Sequence, residues 1–172
     1  PSDVLGQAYE QFLGEVIDLQ PRRKVSIKPR PDVTHAGGVY YTPSSITRHI
    51  VQQTVGAALA NADLSQANKI RILDPACGSG SFLIAAYEYL LDWYLTKYVE
   101  KFPIAQQQKR IDKNEQREWI LTNAERKRIL LQSIYGVDID RQAVEATKLS
   151  LLLKVVEDAA IQRRITREPA LP

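Results

Sequence analysis

Ile70-Arg-Ile-Leu73-Asp74-Pro-Ala-Cys-Gly-Ser-Gly-Ser-Phe-Leu83 is the stretch that decides the fold. A short apolar run, Ile70–Leu73, reads as a strand ending in an acid. Gly78 and Gly80 then open a segment whose apolar residues (Phe82, Ala85, Ala86, Tyr89, Leu90) have helical spacing. Strand, glycine turn, helix is the opening unit of a nucleotide-binding α/β domain. The glycines permit positive φ and let a ligand approach the backbone. A phosphate-binding P-loop would carry Lys-Ser/Thr after its last glycine, whereas Ser81-Phe82 follows Gly80 here. Asp74 at the strand end also disfavours a polyphosphate and favours a ligand with positive charge.

Two further motifs flank this one. Ile134-Tyr-Gly-Val-Asp138-Ile-Asp140 reads as a second strand ending in acid, and Gly38-Val-Tyr-Tyr41-Thr42-Pro43 lies upstream. In doubly wound folds the acid at the end of the second strand accepts hydrogen bonds from ribose hydroxyls. The three motifs, in this order, resemble the S-adenosylmethionine-binding part of N6-adenine DNA methyltransferases. The resemblance is narrower to the methyltransferase region of fused type II restriction–modification and phage-defence enzymes, and covers the chain from about Leu5 onward. It implies an α/β fold: a partial class I (Rossmann-like) S-adenosylmethionine-dependent methyltransferase, with extra N-terminal helices and a helical insertion between the first two strands.

The resemblance also assigns roles. Asp74 lies against the methionine ammonium, with the hydrogen bonding of its own loop amides as the structural alternative. Ala76, Cys77, Gly78 and Gly80 form the loop that the cofactor approaches. Asp138 holds the ribose, Ile139 packs on the adenine, and Asp140 caps the helix that follows. Thr42, with Pro43 behind it, reads as the N-cap of a helix whose free amides suit the cofactor carboxylate. Tyr41, like Tyr40, either lines the pocket or fills core. Cys77 reads as a small side chain tolerant of burial, since no base neighbours it in sequence. The expected cofactor is S-adenosylmethionine, and the expected partner is DNA, engaged by a larger parent protein. The family's catalytic tetrapeptide, Asn/Asp-Pro-Pro-Tyr/Phe, is absent from this chain. The expectation is therefore a cofactor-binding piece, inactive alone, of an adenine-specific methyltransferase. An RNA or protein-glutamine methyltransferase shares the first two motifs, and a non-catalytic nucleic-acid module is the rival from another class.

Composition sets the outer limits. The chain has 172 residues and a formal net charge of +3, which permits nucleic-acid contact without demanding it. One Cys excludes an intrachain disulfide framework. No apolar run approaches the about 20 residues that span a bilayer, and no secretory pattern opens the chain, so a cytoplasmic setting is expected. The chain starts at Pro1 and contains no Met, which reads as an excised piece of a longer protein. His35 and His49 lack neighbours at metal-ligand spacing. Basic clusters at Arg22–Arg30, Lys109–Lys113, Arg126–Arg128 and Gln162–Arg167 are either solvated faces or DNA contacts.

The expected organisation is an N-terminal helix and basic connector over residues 1–36, then a partial cofactor-binding domain over 37–172 with its insertion at about 99–121. Val4, Leu5, Ala8, Tyr9, Phe12, Leu13, Val16 and Ile17 predict an amphipathic helix ending near Gln20. The connector is extended, with a short strand around Val25–Ile27. Ile46, Ile50, Thr54 and Ala58, flanked by Val51, Val55 and Leu59, predict the buried stripe of a helix running from Thr42 to about Ala60. Ile104 to Asn114 shows no apolar period and reads as a solvent-facing excursion. Thr122-Asn-Ala-Glu125 is a capping-box signature. In the last helix, Arg141–Asp158, the face formed by Leu149, Leu151, Leu152, Leu153, Val155 and Val156 predicts burial.

Overall fold

The computed structural model describes residues 15–20, 24–29, 42–101, 103–114 and 116–165. The first described element is not a helix but strand β1 (Glu15–Gln20), paired antiparallel with β2 (Lys24–Pro29). The rest of the predicted N-terminal helix lies outside the described residues. The register sets Ile17 opposite Ile27 and Leu19 opposite Val25. The β-branched residues Val16, Ile17, Val25 and Ile27 have high strand propensity, and Gly14 lowers the helix propensity of the segment before them.

Helix α1 comprises Ser44–Val51, a π turn over Gln52–Gly56, and Ala57–Leu59. The residues that flank the predicted stripe form the centre of the buried face, and Ile46 and Ile50 of its predicted centre do not. Thr47, Val51, Val55 and Leu59 are buried, while Ile46 and Ile50 are exposed. In an α-helix each four-residue step drifts about 40° around the axis. A wider π turn offsets that drift and keeps these four residues on one face. Pro43, not Thr42, holds the N-cap position, and no side chain caps the helix.

A short helix α2 (Leu64–Ala67) follows, closed by a reciprocal capping box between Asp63 and Gln66. It leads into β3 (Ile72–Asp74) and, after the glycine loop, into α3 (Ser81–Glu100). α3 is the spine of the core. Leu83, Ile84, Ala86, Tyr87, Leu90, Leu91, Tyr94 and Tyr98 are all buried on it, so it is enclosed on most sides.

The predicted polar excursion is ordered. It contains α4 (Ile104–Gln107) and a hairpin of β4 (Ile111–Lys113) with β5 (Trp119–Leu121). Among its described residues Ala105, Ile111 and Leu121 are buried, Trp119 packs against the core, and Arg110 reaches Glu125. Elements this short leave no period in the sequence. Helix α5 (Asn123–Ser133) starts at Thr122, whose hydroxyl accepts from the Glu125 amide as the capping signature predicts. The side chain of Glu125 departs from that signature. It is 5% exposed and accepts from Tyr98 at 2.6 Å, from Arg110 at 2.9 Å and from Arg128 at 2.6 Å. Arg128 and Tyr94 also donate to the Asn68 side chain, which joins the insertion, α3, α5 and the approach to β3 in one network.

β6 (Ile134–Gly136) pairs parallel with β3, and α6 (Arg141–Ile165) completes the described fold. Six strands in three two-stranded sheets are present among the described residues, in a mixed helix and strand architecture. α6 turns a face of small residues inward, with Ala143, Thr147, Ser150 and Leu151 buried. The predicted leucine face is corrected in part: Leu149 and Leu152 are exposed, and Val155 packs against the core. Small side chains allow close approach of α6 to the loop and α3, and the flanking leucines then point away. Lys154 bridges to Glu88 of α3 at 2.5 Å. Among the described residues no helix is long and apolar enough to cross a membrane.

Burial pushes the Glu125 carboxyl up, but the hydrogen bonds from Arg128 and Tyr98 and the charges of Arg128 and Arg110 outweigh it and hold it below the usual range. A lowered folded value means that its stabilisation is complete above the ordinary glutamate range and is lost as pH falls. Glu125→Ala is expected to lower unfolding free energy by about 2–3 kcal/mol, because both arginines are partly hydrated and soften the loss of a buried partner. Urea melts of wild type and variant should converge below about pH 4.3 as the carboxylate protonates.

Candidate functional site

The parallel ladder of β3 and β6 continues past the strands into the loop that follows β3. The Val137 amide donates to the Asp74 carbonyl, and the Cys77 amide donates to the Val137 carbonyl, each at 2.9 Å. Asp138 then reaches across. Its Oδ2 accepts from the Gly78 amide at 2.8 Å, and its Oδ1 accepts from the Asp140 amide at 2.8 Å. Gly78 and Gly80 have φ of 51° and 87°, in the left-handed region that favours glycine. The two glycines differ in surroundings. A Cβ on Gly80 would lie 2.6 Å from Thr147 Cγ2, whereas a Cβ on Gly78 would meet nothing within 4 Å. Gly80 is thus a packing requirement, and Gly78 faces open space.

Asp74, Ala76, Cys77, Gly78, Gly80 and Asp138 therefore converge on one turn. The Asp74 carboxylate accepts from the Ala76 amide at 3.1 Å, the structural role that its position allows. Asp140 accepts from the Gln142 amide at 2.8 Å and caps α6, as the sequence predicts. Ile139 is fully exposed. Cys77 is buried, and burial pushes its thiol up; a hydrogen bond with Thr147 opposes this, while the carboxylates of Asp138 and Asp74 reinforce it. A buried thiol with a raised value suits a packing role.

Thr42 is half-buried just ahead of α1, and Tyr41 lies outside the described residues. α1 meets the loop through its middle. Ile50, Val51 and Thr54 wall a cavity of about 300 Å³ with Asp74, Pro75 and Phe82. Asp74 thus belongs both to this mostly apolar cavity and to the glycine turn.

Sequence reasoning missed Thr147. Its hydroxyl donates to the Gly78 carbonyl at 2.7 Å, from 69 residues away in the chain. The available signal was the small-residue spacing of Ala143, Thr147 and Ser150 inside a leucine-rich helix. The basic clusters are also reassigned in part. Arg110 and Arg128 pair with Glu125 while remaining partly exposed, and Arg126 is buried, so these three arginines have structural partners or surroundings within the fold. Lys113 lies over the Trp119 ring at 4.6 Å. Of the Arg22–Arg30 cluster, residues 24–29 form β2 and Arg22, Arg23 and Arg30 lie outside the described residues, as do residues 166–167 of the last cluster.

A glycine turn between strand and helix, with an acid from the adjacent parallel strand beside it, also occurs in the class of nucleotide-binding α/β folds. The family is narrower than that class. The chain belongs to the N-6 DNA Methylase family, whose model matches residues 1–168. It is 29% identical over 172 residues to the type II restriction enzyme and methyltransferase RM.Eco57I of Escherichia coli, covering 99% of this chain and 16% of that protein. It is 29% identical over 155 residues to the type I restriction enzyme MjaIX methylase subunit of Methanocaldococcus jannaschii, covering 90% of this chain and 18% of that one. It is 24% identical over 189 residues to the adenine-specific methyltransferase BrxX of Escherichia coli, covering 91% and 14%. The chain thus spans between 14% and 18% of the length of these relatives.

The two glycines should separate by substitution. Gly80→Ala combines an unfavourable backbone with a clash against buried Thr147 and is expected to lower stability by about 2–5 kcal/mol in urea melts. Gly78→Ala carries only the backbone cost of about 1–2 kcal/mol. Equal destabilisation by both would contradict the open space beside Gly78.

Proposed function

We propose that this chain is the cofactor-binding part of a DNA methyltransferase that transfers a methyl group from S-adenosylmethionine to adenine N6 in restriction–modification or phage defence. The observation that carries the proposal is the Asp138 carboxylate, 2.8 Å from the amide of a glycine whose open side has room for a ligand. Membership of the N-6 DNA Methylase family and the names of the relatives support the same reading.

The residues present fit this cofactor. Its sulfonium and ammonium are cationic, and Asp74 and Asp138 bring two carboxylates to one turn. Asp138 retains lone pairs beyond those it gives to Gly78 and Asp140, and these accept from ribose hydroxyls. The exposed Ile139 side chain offers an apolar surface for the adenine. The uncapped first turn of α1, with Thr42 and Tyr41 just ahead of it, suits the carboxylate. Gly78 lets the cofactor approach the backbone, while Ala76 and Cys77 shape the loop and Gly80 fits it to α6. When bound, the cofactor supplies an already activated methyl group, so the protein's task is positioning and electrostatic fit.

In this reading β3 and β6 are adjacent strands of a Rossmann-like sheet. Residues 1–36 are an appended segment, 37–172 the partial methyltransferase domain, and about 99–121 its insertion. The chain contains no Asn/Asp-Pro-Pro-Tyr/Phe tetrapeptide, so cofactor binding is assigned to it, and DNA binding and transfer to the larger protein.

Calorimetric titration with S-adenosylhomocysteine tests the proposal. Wild-type chain should bind, and Asp138→Ala should weaken binding by about 1–3 kcal/mol, the loss of hydrogen bonds to a charged group. Asp140→Ala, which removes a helix cap, should lower stability by about 0.5–2 kcal/mol with a smaller effect on affinity. Absence of binding by the wild-type chain, or equal affinity in wild type and Asp138→Ala, would reject the assignment.

A further inference from the structure

We infer that Thr147 is a positioning residue for the cofactor turn: it fixes the peptide plane on the carbonyl side of Gly78, as Asp138 fixes the plane on the amide side. The inference rests on the cofactor-binding reading for its consequence and on geometry for its content.

Gly78 is the most permissive point of the turn. It has no side chain, a φ of 51°, and nothing within 4 Å of where a Cβ would stand. Left alone, such a residue is a hinge. Two side chains from other elements hold it. Asp138 Oδ2 accepts from its N–H at 2.8 Å, and Thr147 Oγ1 donates to its carbonyl at 2.7 Å. Peptide groups are planar, so each bond orients a whole plane: Cys77–Gly78 through Asp138 and Gly78–Ser79 through Thr147. With both planes fixed, φ and ψ of Gly78 are fixed as well.

Thr147 is suited to this task. It is 4% exposed, so its hydroxyl is shielded from competing water. Its methyl Cγ2 fills the place that a side chain on Gly80 would occupy, which holds the hydroxyl in register with the loop. It stands on α6, whose first turn is capped by Asp140, two residues after Asp138. One short segment thus positions both anchors: Asp138 at the end of the strand and Thr147 two turns into the helix. α6 is in turn tied to α3 by Lys154 and Glu88.

The test uses the 172-residue chain with two variants, read out by affinity for S-adenosylhomocysteine and by amide hydrogen exchange of residues 75–80 without ligand. Thr147→Val keeps the shape and removes the hydroxyl. Thr147→Ser keeps the hydroxyl and removes the methyl. Thr147→Val removes the bond to the Gly78 carbonyl and the weaker one with the Cys77 thiol; it should weaken binding about five- to tenfold and accelerate exchange in the loop by a similar factor. Thr147→Ser should retain affinity and loop protection within about twofold, even if its melting temperature falls as far as that of Thr147→Val. Unchanged loop exchange in Thr147→Val overturns the inference whether or not ligand binds. Equal losses in both variants also overturn it, because the effect would then follow packing and not the hydroxyl. A wild-type chain that binds no ligand rejects the cofactor reading alone, and the exchange measurement still decides the role of Thr147.

Discussion

The hydrogen bond from the Gly78 amide to the Asp138 carboxylate links residues 60 apart in the chain, just past the point where two parallel strands end. The candidate site depends on this contact. Three-residue strands give a short ladder, and the ladder alone does not fix a glycine turn. The carboxylate extends the pairing beyond the sheet, after the Val137 bonds to Asp74 and Cys77, and carries it into the loop. It also brings a second acid to the turn that already holds Asp74. The same atoms that order the backbone thus create a negative environment without a separate binding residue.

The support for this turn is distributed between two kinds of contact. On one side α3 carries an apolar core that includes three buried tyrosines, Tyr87, Tyr94 and Tyr98. On the other lies a polar core around Glu125. A buried carboxylate alone would be strongly destabilising, yet Glu125 stays charged because two guanidinium groups and a phenol meet it. Burial pushes the Tyr98 hydroxyl up, and its hydrogen bond to Glu125 pushes it further, which keeps it a donor. Burial likewise raises Tyr87, to about 12, while the neighbouring Arg126 pulls against it. The network holds the insertion against the spine, so a long excursion between β3 and β6 does not loosen their pairing.

Much of the site was legible in the sequence because its elements are local. Asp74 through Leu83 and Ile134 through Asp140 carry their turn chemistry in adjacent residues, and both strands and the intervening helix appear where those motifs place them. Contacts distant in sequence were less legible. Thr147 looks like a helix interior residue until the fold brings it to Gly78. Val16 and Ile17 fit a helical period, and only pairing with residues 24–29 makes them strand. The buried face of α1 is centred on the residues that flank the predicted stripe, an offset of one position already present at Thr47, before the π turn. Glu125 satisfied a capping pattern, but two arginines draw its side chain inward. Ala105, Ile111 and Leu121 are single anchors, too sparse to register as a pattern.

The hairpin of the insertion is closed at its base, where Thr122 bonds the carbonyls of Arg110 and Lys109, and its tip is tied by Asn114 and Glu118 to each other. Bonds at the base separate the tip mechanically from the glycine turn. Extra residues there would add mainly closure entropy, about 0.6 kcal/mol for each doubling of loop length. The apex of β4 and β5 is therefore the natural splice point for a peptide tag or fluorescent reporter, with the pairing of β3 and β6 left undisturbed.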